Sequence, residues 1–198
     1  MTDDGGGGYA LHPWVDESMH VDGDNGLYIL AAVVCAADGC DLIRDALREL
    51  LDEGQRKLHW SAESPERRGR IIGVVAEVDM AAVVVIGAPL AKKKQERARA
   101  VCMETLVMHL AAMDVTHVLL EGRTPSLNNR DMKLIRAIRG KKLVPTEMRI
   151  DVGRPLAEPM LWVPDIVAGA AGADRVHGNP QYLDLIRSTV TQLDIPLR

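Results

Sequence analysis

The sequence predicts an α/β domain in which helices pack on a mixed β-sheet. Two observations lead to this prediction. Short runs of β-branched residues alternate with longer segments whose apolar residues recur at helical spacing, and a segment rich in Asp, Asn and Gly separates the first two apolar runs as a hairpin loop does. The 198 residues are enough to bury one sizeable core without a second domain. We therefore expect a flexible, glycine-rich tail over residues 1–8 and one domain over residues 9–198.

The chain is expected to begin with a β-hairpin. Residues 9–19 form the first predicted strand, on which Asp16 points to one face and Glu17 to the other because side chains alternate along a strand. Residues 20–26 supply the turn, and the continuous apolar run over residues 27–35 forms the returning strand. The first strand thus carries two acids in its middle, on opposite faces.

Helices and strands then follow in turn. Two helices, the first from Asp38 to Gly54 and the second from Ser64 to Val78, form a helical insertion after the hairpin, with the short segment 57–60 between them. Three further strands bring the total to five, and each is followed by one or two helices. The strands are expected at residues 80–88, 115–121 and 143–151, and the helices at residues 91–114, 127–140, 160–174 and 180–193.

Composition limits the classes of function. Aromatic residues make up 3% of the chain, with no Phe, so a single-strand binder built on stacked bases is not expected. The formal net charge is −4, so a nucleic acid has to be bound by local basic patches rather than by a global positive field. A mean hydropathy of −0.03 argues against a membrane protein. The candidate patches are Arg67, Arg68 and Arg70, residues 92–94, and Arg136, Arg139, Lys141 and Lys142.

The cysteine pattern predicts a cytoplasmic protein. The three cysteines are an odd number without a CxxC pair, and Cys35 and Cys102 lie in apolar runs, where buried free thiols are common. The acidic, glycine-rich start does not resemble the basic and apolar leader that directs secretion. A reducing compartment therefore fits the sequence best.

Three acids fall inside apolar segments, where an ionised carboxylate is costly unless a cation or strong donors accompany it. Asp16 lies in the first strand, Glu121 ends the strand over residues 115–121, and Asp165 lies on a helix with small neighbours. If the strands of Asp16 and Glu121 are adjacent and parallel, these acids converge, and Asp165 approaches from the packed helix. Such a cluster needs neutralising, most simply by Mg²⁺ or Mn²⁺, which prefer oxygen ligands.

Four short motifs follow one another along nearly the whole chain after the glycine-rich start. They are WVDESM over residues 14–19, KLHW over 57–60, LLEGR over 119–123 and EPMLWVPDIVAGAA over 158–171. In their order and spacing they resemble the bacterial domain of unknown function 3800 family. This resemblance implies a ribonuclease-H-like fold. It also implies that the superfamily's catalytic metals are held at Asp16, Glu121 and Asp165, and it matches further polar positions to Glu17, His59 and Asp131.

The activity implied by the resemblance is hydrolysis of phosphodiester bonds in DNA or RNA through a carboxylate-held two-metal site. Asp16 would bridge the metals, while Glu121 and Asp165 would each complete one side. His59, a residue type with an unperturbed pKa of about 6.5, would move protons or hold the leaving phosphate. Arg123 is a candidate for binding a phosphate oxygen.

The chain departs from the family pattern at three positions. Met19 replaces a usual Gly, Lys57 replaces an acid before the Leu–His pair, and Pro164 replaces a small residue before the helix Asp. Lys57 brings a positive charge near the expected metals, which favours an alternative: a catalytically weak or inactive ribonuclease-H-like module that binds nucleic acid or a protein partner. A hydrolase of a small phosphoester is a third hypothesis, which a closed pocket beside Glu121 would favour.

For three of the candidate site residues, a structural role is expected as an alternative to a functional one. Glu17 faces away from Asp16, so a solvent-facing acid is equally expected. Asp131 lies in the first turn of its predicted helix, where the helix dipole alone favours an acid. His59 is equally expected to be a hydrogen-bonded loop histidine beside Trp60.

Overall fold

The computed structural model of the protein describes residues 11–197, so the tail expected over residues 1–8 lies outside the described residues. Within them, six strands form one sheet, and five α-helices flank it. The strands are β1 (Leu11–His20), β2 (Gly26–Ala36), β3 (Ala81–Leu90), β4 (His117–Glu121), β5 (Arg149–Gly153) and β6 (Val190–Pro196). The helices are α1 (Cys40–Glu49), α2 (Pro65–Ala76), α3 (Gln95–Ala111), α4 (Pro125–Gly140) and α5 (Trp162–His177).

The sheet is mixed, as the sequence predicts. Its strand order is β5-β4-β1-β2-β3-β6. Strands β1, β2 and β3 pair antiparallel with one another, whereas β4 is parallel to β1, β5 to β4 and β6 to β3. The α/β class, the opening hairpin and the two helices inserted after it are confirmed.

The sheet has six strands rather than five, because the helix predicted over residues 180–193 is wrong. Two short 3₁₀ turns occupy the middle of that segment, and β6 follows them. The end of the chain has strand spacing, since apolar residues alternate there with polar residues or Pro and pack against one face of the sheet. These apolar residues are Leu193, Ile195 and Leu197. Strand β6 pairs with β3 over its full length, which satisfies the main-chain groups that face β3 and leaves β6 at an edge of the sheet.

The two faces of the sheet carry separate hydrophobic cores. Helices α1, α2 and α5 cover the face that includes Trp14, and α3 and α4 cover the face that includes Val15. Because side chains alternate along β1, Asp16 shares its face with Trp14, and Glu17 shares its face with Val15. Two successive acids of one strand therefore lie in different environments.

Helix α5 is buried along nearly its whole length, against β1 and β2. Its surface is rich in Ala and Gly, which allows close approach. A Cβ on Gly169 would lie 2.2 Å from Cγ of Trp60, so only Gly leaves room for the indole ring at that position. None of the helices that the structure describes is long and apolar enough to cross a membrane.

The contact of Gly169 with Trp60 predicts a position-specific effect of a single methyl group. Gly169→Ala forces the buried ring or the helix to shift, and overpacking of this kind lowers the free energy of unfolding by about 1–3 kcal/mol. Gly73→Ala is the matched control, because Gly73 is also inside a helix but has no atom within 4 Å of its would-be Cβ. That variant should gain about 0.5–1 kcal/mol. Thermal denaturation measures both changes, and equal stability of the two variants would contradict this packing.

Candidate functional site

Asp16 and Glu121 are neighbours across two parallel strands. Val15 of β1 is opposite Leu120 of β4, so the next residue on each strand brings the two acids side by side on one face. Burial is the largest cause that raises the pKa of Asp16 well above its usual range, and the charges of Glu121 and Asp165 raise it further. Burial also raises the pKa of Glu121.

Asp165 reaches the same face from the first turn of α5. Its Oδ2 accepts a hydrogen bond from the backbone N–H of Trp60 at 2.7 Å and lies 3.2 Å from Nδ1 of His59. An ionised carboxylate only accepts, so Nδ1 of His59 carries the proton. Pro164 precedes this acid within the first turn, where a backbone N–H has no partner inside the helix, so this departure from the family pattern removes no hydrogen bond of α5.

The loop between α1 and α2 supplies two basic side chains to the acids. Leu58 and Trp60 are buried, whereas the alternate residues Lys57 and His59 are partly exposed. Nζ of Lys57 lies 3.9 Å from Oε1 of Glu121. The hydrogen bond with the carboxylate of α5 raises the pKa of His59, which favours the protonated ring.

On the opposite face of the sheet, Glu17, Asp131 and Arg123 belong to a network of ion pairs. Arg99 of α3, which is 2% exposed, donates to both carboxylate oxygens of Asp131 at 2.9 Å and also donates to Glu17. Arg123 donates to Asp131 at 2.7 Å and to Glu96 at 2.7 Å. Each of these charges faces a partner of opposite sign, as buried ions require.

Three of the site residues proposed from the sequence belong to this network and not to the acid cluster. The structure brings together Asp16, Glu121, Asp165 and His59, and it places Glu17, Asp131 and Arg123 on the other side of the sheet. The guanidinium of Arg123, a candidate phosphate ligand, is engaged by two carboxylates. Met19, the remaining departure from the family pattern, lies within β1 opposite Tyr28 rather than in a turn.

Sequence reasoning missed three contributors to these two sites. One is the backbone N–H of Trp60, which has no sequence signal because every residue except Pro carries this donor. The second is the hydroxyl of Ser61, whose Oγ lies 2.9 Å from Nε2 of His59. The third is Arg99, which lies on the buried stripe of α3 with Met103 and Leu106. A charged residue at such a position signals a buried partner of opposite charge.

The donor set of the acid cluster suits a hard divalent cation, since all its ligand atoms are carboxylate oxygens. Within residues 11–197, however, no group of three or more His, Cys, Asp or Glu side chains has an arrangement that could hold a metal ion. Oδ2 of Asp165 accepts from the loop backbone, and Glu121 faces Lys57. The chemistry of the acids thus fits Mg²⁺ or Mn²⁺, while protein donors compensate part of their charge in this structure.

The buried network of ion pairs predicts that replacing one of its charged side chains by an uncharged one strongly lowers the stability of the protein. Asp131→Asn leaves Arg99 with one charged partner fewer. Breaking a buried ion pair costs about 3–5 kcal/mol, and because Glu17 still faces Arg99 we expect a loss of about 3 kcal/mol in the free energy of unfolding. Asp45→Asn, which breaks an exposed pair with Arg48, should change it by less than about 1 kcal/mol. Chemical denaturation compares the two, and equal losses would contradict a structural role for the network.

Comparison with known proteins supports the fold. The sequence matches no protein-family model, and no curated protein matches it. Among solved structures, the chain is similar to the RNase HII in the complex of PCNA and RNase HII from Archaeoglobus fulgidus, with a TM-score of 0.56 and 14% identity, over 90% of this chain and 87% of that chain. At this identity the likeness concerns the fold alone. The protein therefore has a ribonuclease-H-like α/β fold, a mixed sheet with flanking helices.

Proposed function

We propose that this protein is a metal-dependent nuclease that hydrolyses phosphodiester bonds in DNA or RNA, and that Asp16, Glu121 and Asp165 bind Mg²⁺ or Mn²⁺. One observation carries the proposal: the pairing of β1 with β4 sets two acids side by side, within the electrostatic reach of a third. Like charges brought together in a partly buried site are costly unless a cation offsets them. The order of the sequence motifs also supports membership of the domain of unknown function 3800 family.

A divalent ion, when bound, lowers the pKa of an attacking water and offsets charge on the leaving oxygen. The chain's own residues supply the remaining chemistry. Nδ1 of His59 is tied to Asp165, and its Nε2 lies beside the hydroxyl of Ser61 on the exposed side of the loop. A protonated His59 in this position donates to a phosphate oxygen or returns a proton to the leaving group.

One residue of a predicted basic patch, Arg68, contacts the loop that binds the acid cluster. The guanidinium of Arg68 lies 5.2 Å from the ring centroid of Trp60 and donates to the backbone oxygen of Trp60 at 2.9 Å. Trp60 is also the residue whose N–H binds Asp165. Lys57 and His59 thus provide positive charge beside the acids, and Arg68 is bound to the same loop; this supports contact with a phosphate backbone despite the net charge of −4.

The other residues of the predicted patches differ in how much of their charge is engaged by acids. Arg67 forms ion pairs with Glu63 and Asp52, and Lys141 pairs with Glu104. Lys92–Lys94 form an exposed turn before α3. We therefore assign substrate contact first to the loop over residues 57–61 and to Arg68 of α2, with the exposed lysines as a secondary contact.

The ion pair of Lys57 with Glu121 favours a second candidate function. A lysine that compensates one of the acids reduces the need for metal, as in a catalytically weak or inactive module that binds nucleic acid or a protein partner. The two functions differ in metal-dependent cleavage.

We also place the protein in the cytoplasm. Cys35, Cys40 and Cys102 are all buried and free, and burial raises the pKa of Cys35 to about 12. Thiols of this kind are unreactive and are typical of a reducing compartment.

Metal binding is the first prediction of the proposed function. At a Mn²⁺ concentration of about 100 times its dissociation constant, wild-type protein should gain about 2.7 kcal/mol of stability. Asp16→Asn removes one ligand charge without changing side-chain volume, so it should abolish this gain while leaving the metal-free protein folded. Glu17→Gln is the matched control on the other face of β1, and it should keep the gain. Thermal melts with and without Mn²⁺ measure it, and equal gains in wild type and Asp16→Asn would refute the assignment.

Cleavage of nucleic acid is the second prediction. Wild-type protein with Mg²⁺ or Mn²⁺ should cut single- or double-stranded DNA or RNA, and a chelator or Asp16→Asn should abolish the cut. Gel analysis of labelled oligonucleotides detects the products. Mn²⁺ binding without any cleavage would favour the inactive module, and equal cleavage by wild type and Asp16→Asn would show that this site is not the catalytic one.

A further inference from the structure

Lys57 lies beside Glu121, where a second metal ion bound to the acid cluster would be close to the lysine ammonium. Its Nζ is 3.9 Å from Oε1 of Glu121, and Asp16 is the neighbour of Glu121 across the paired strands. Lys57 therefore acts on both carboxyl groups that the paired strands place together.

The backbone that carries Lys57 is anchored by two of the residues that follow it. Leu58, the next residue, is 2% exposed and belongs to the core beneath α5. Trp60 is also buried, and its N–H is bound to Asp165. Moving this stretch away from the acids would expose two core side chains and break that hydrogen bond. The ammonium can move by side-chain rotation, but its backbone remains beside Glu121.

Charge balance favours one divalent ion. The cluster supplies three carboxylates, Asp16, Glu121 and Asp165. With the Lys57 ammonium and the protonated His59 ring beside three ionised carboxylates, one divalent cation leaves an excess of one positive charge, whereas two leave an excess of three. An ammonium a few ångströms from a divalent ion also repels it directly, and partial burial weakens the screening by water.

We infer that this site binds a single divalent cation and that Lys57 supplies, next to Glu121, the second positive charge. The inference rests on the proposed function, because it specifies how the same acids are compensated. In this arrangement the Lys57 ammonium donates hydrogen bonds to a phosphate oxygen as a point charge. It contacts substrate without needing a second metal ion.

The stoichiometry of Mn²⁺ binding to the full chain tests this inference without any activity measurement. Isothermal titration with Mn²⁺ alone should give one ion per wild-type chain. Lys57→Met, which removes the charge and keeps the side-chain length, should tighten the first site by roughly tenfold and admit a second ion. Lys57→Glu should bind the second ion more tightly still, and the electron paramagnetic resonance spectrum should show coupling between two Mn²⁺ ions.

Lys141→Met is the matched control. Lys141 also pairs with a glutamate, Glu104, at 2.8 Å, but it belongs to the surface formed by α3 and α4. This variant should bind one ion with wild-type affinity. Circular dichroism verifies that each variant is folded, which we expect because both lysine side chains are partly exposed.

The possible outcomes distinguish a failure of this inference from a failure of the proposed function. Two ions bound by wild type, or one ion with unchanged affinity in both Lys57 variants, would overturn the role of Lys57 and leave the metal site intact. Wild-type protein that binds no Mn²⁺ would instead overturn the metal site itself. One ion in wild type and two in the Lys57 variants would support both.

Discussion

The parallel pairing of β1 with β4 is the constraint on which the rest of the site depends. Main-chain hydrogen bonds fix the register, and the register sets Asp16 beside Glu121. The backbone positions of the two acids cannot separate without breaking the pairing of β1 with β4. The first turn of α5 adds a third acid, Asp165, and the loop before α2 supplies the groups that offset these charges: Lys57 beside Glu121, and His59 and the backbone N–H of Trp60 bound to Asp165.

The alternation of side chains along β1 divides its polar residues between two different chemical environments. On the face of α3 and α4, Glu17 enters a buried network in which Arg99 and Arg123 balance the acids. On the face of α5, the acids exceed the fixed positive charge beside them, and Lys57 and His59 are partly exposed. The first network stabilises the packing of two helices on the sheet. The second has the unbalanced charge and the solvent access that binding of a cation and a phosphate requires.

Hydrophobic periodicity was sufficient to predict the α/β class, the opening hairpin and the face on which each acid of β1 lies. It failed at β6, where the alternation of Leu193, Ile195 and Leu197 is short and follows a polar segment that also fits a helix. The role of Arg99 could not be assigned from the sequence, because its partners come from α4 and β1 and depend on tertiary packing. The contact of Lys57 with Glu121 could be anticipated only as a nearby charge, since the loop that positions it has no periodic pattern.

The direct test of this account is the position of a metal ion in a crystal of the protein grown with Mn²⁺. Anomalous scattering locates manganese without reference to any assumed ligand. The account predicts one anomalous peak at the carboxylates of Asp16 and its neighbours, with Lys57 still beside Glu121. A peak bound elsewhere on the chain, or crystals with no peak at these acids at saturating Mn²⁺, would contradict it.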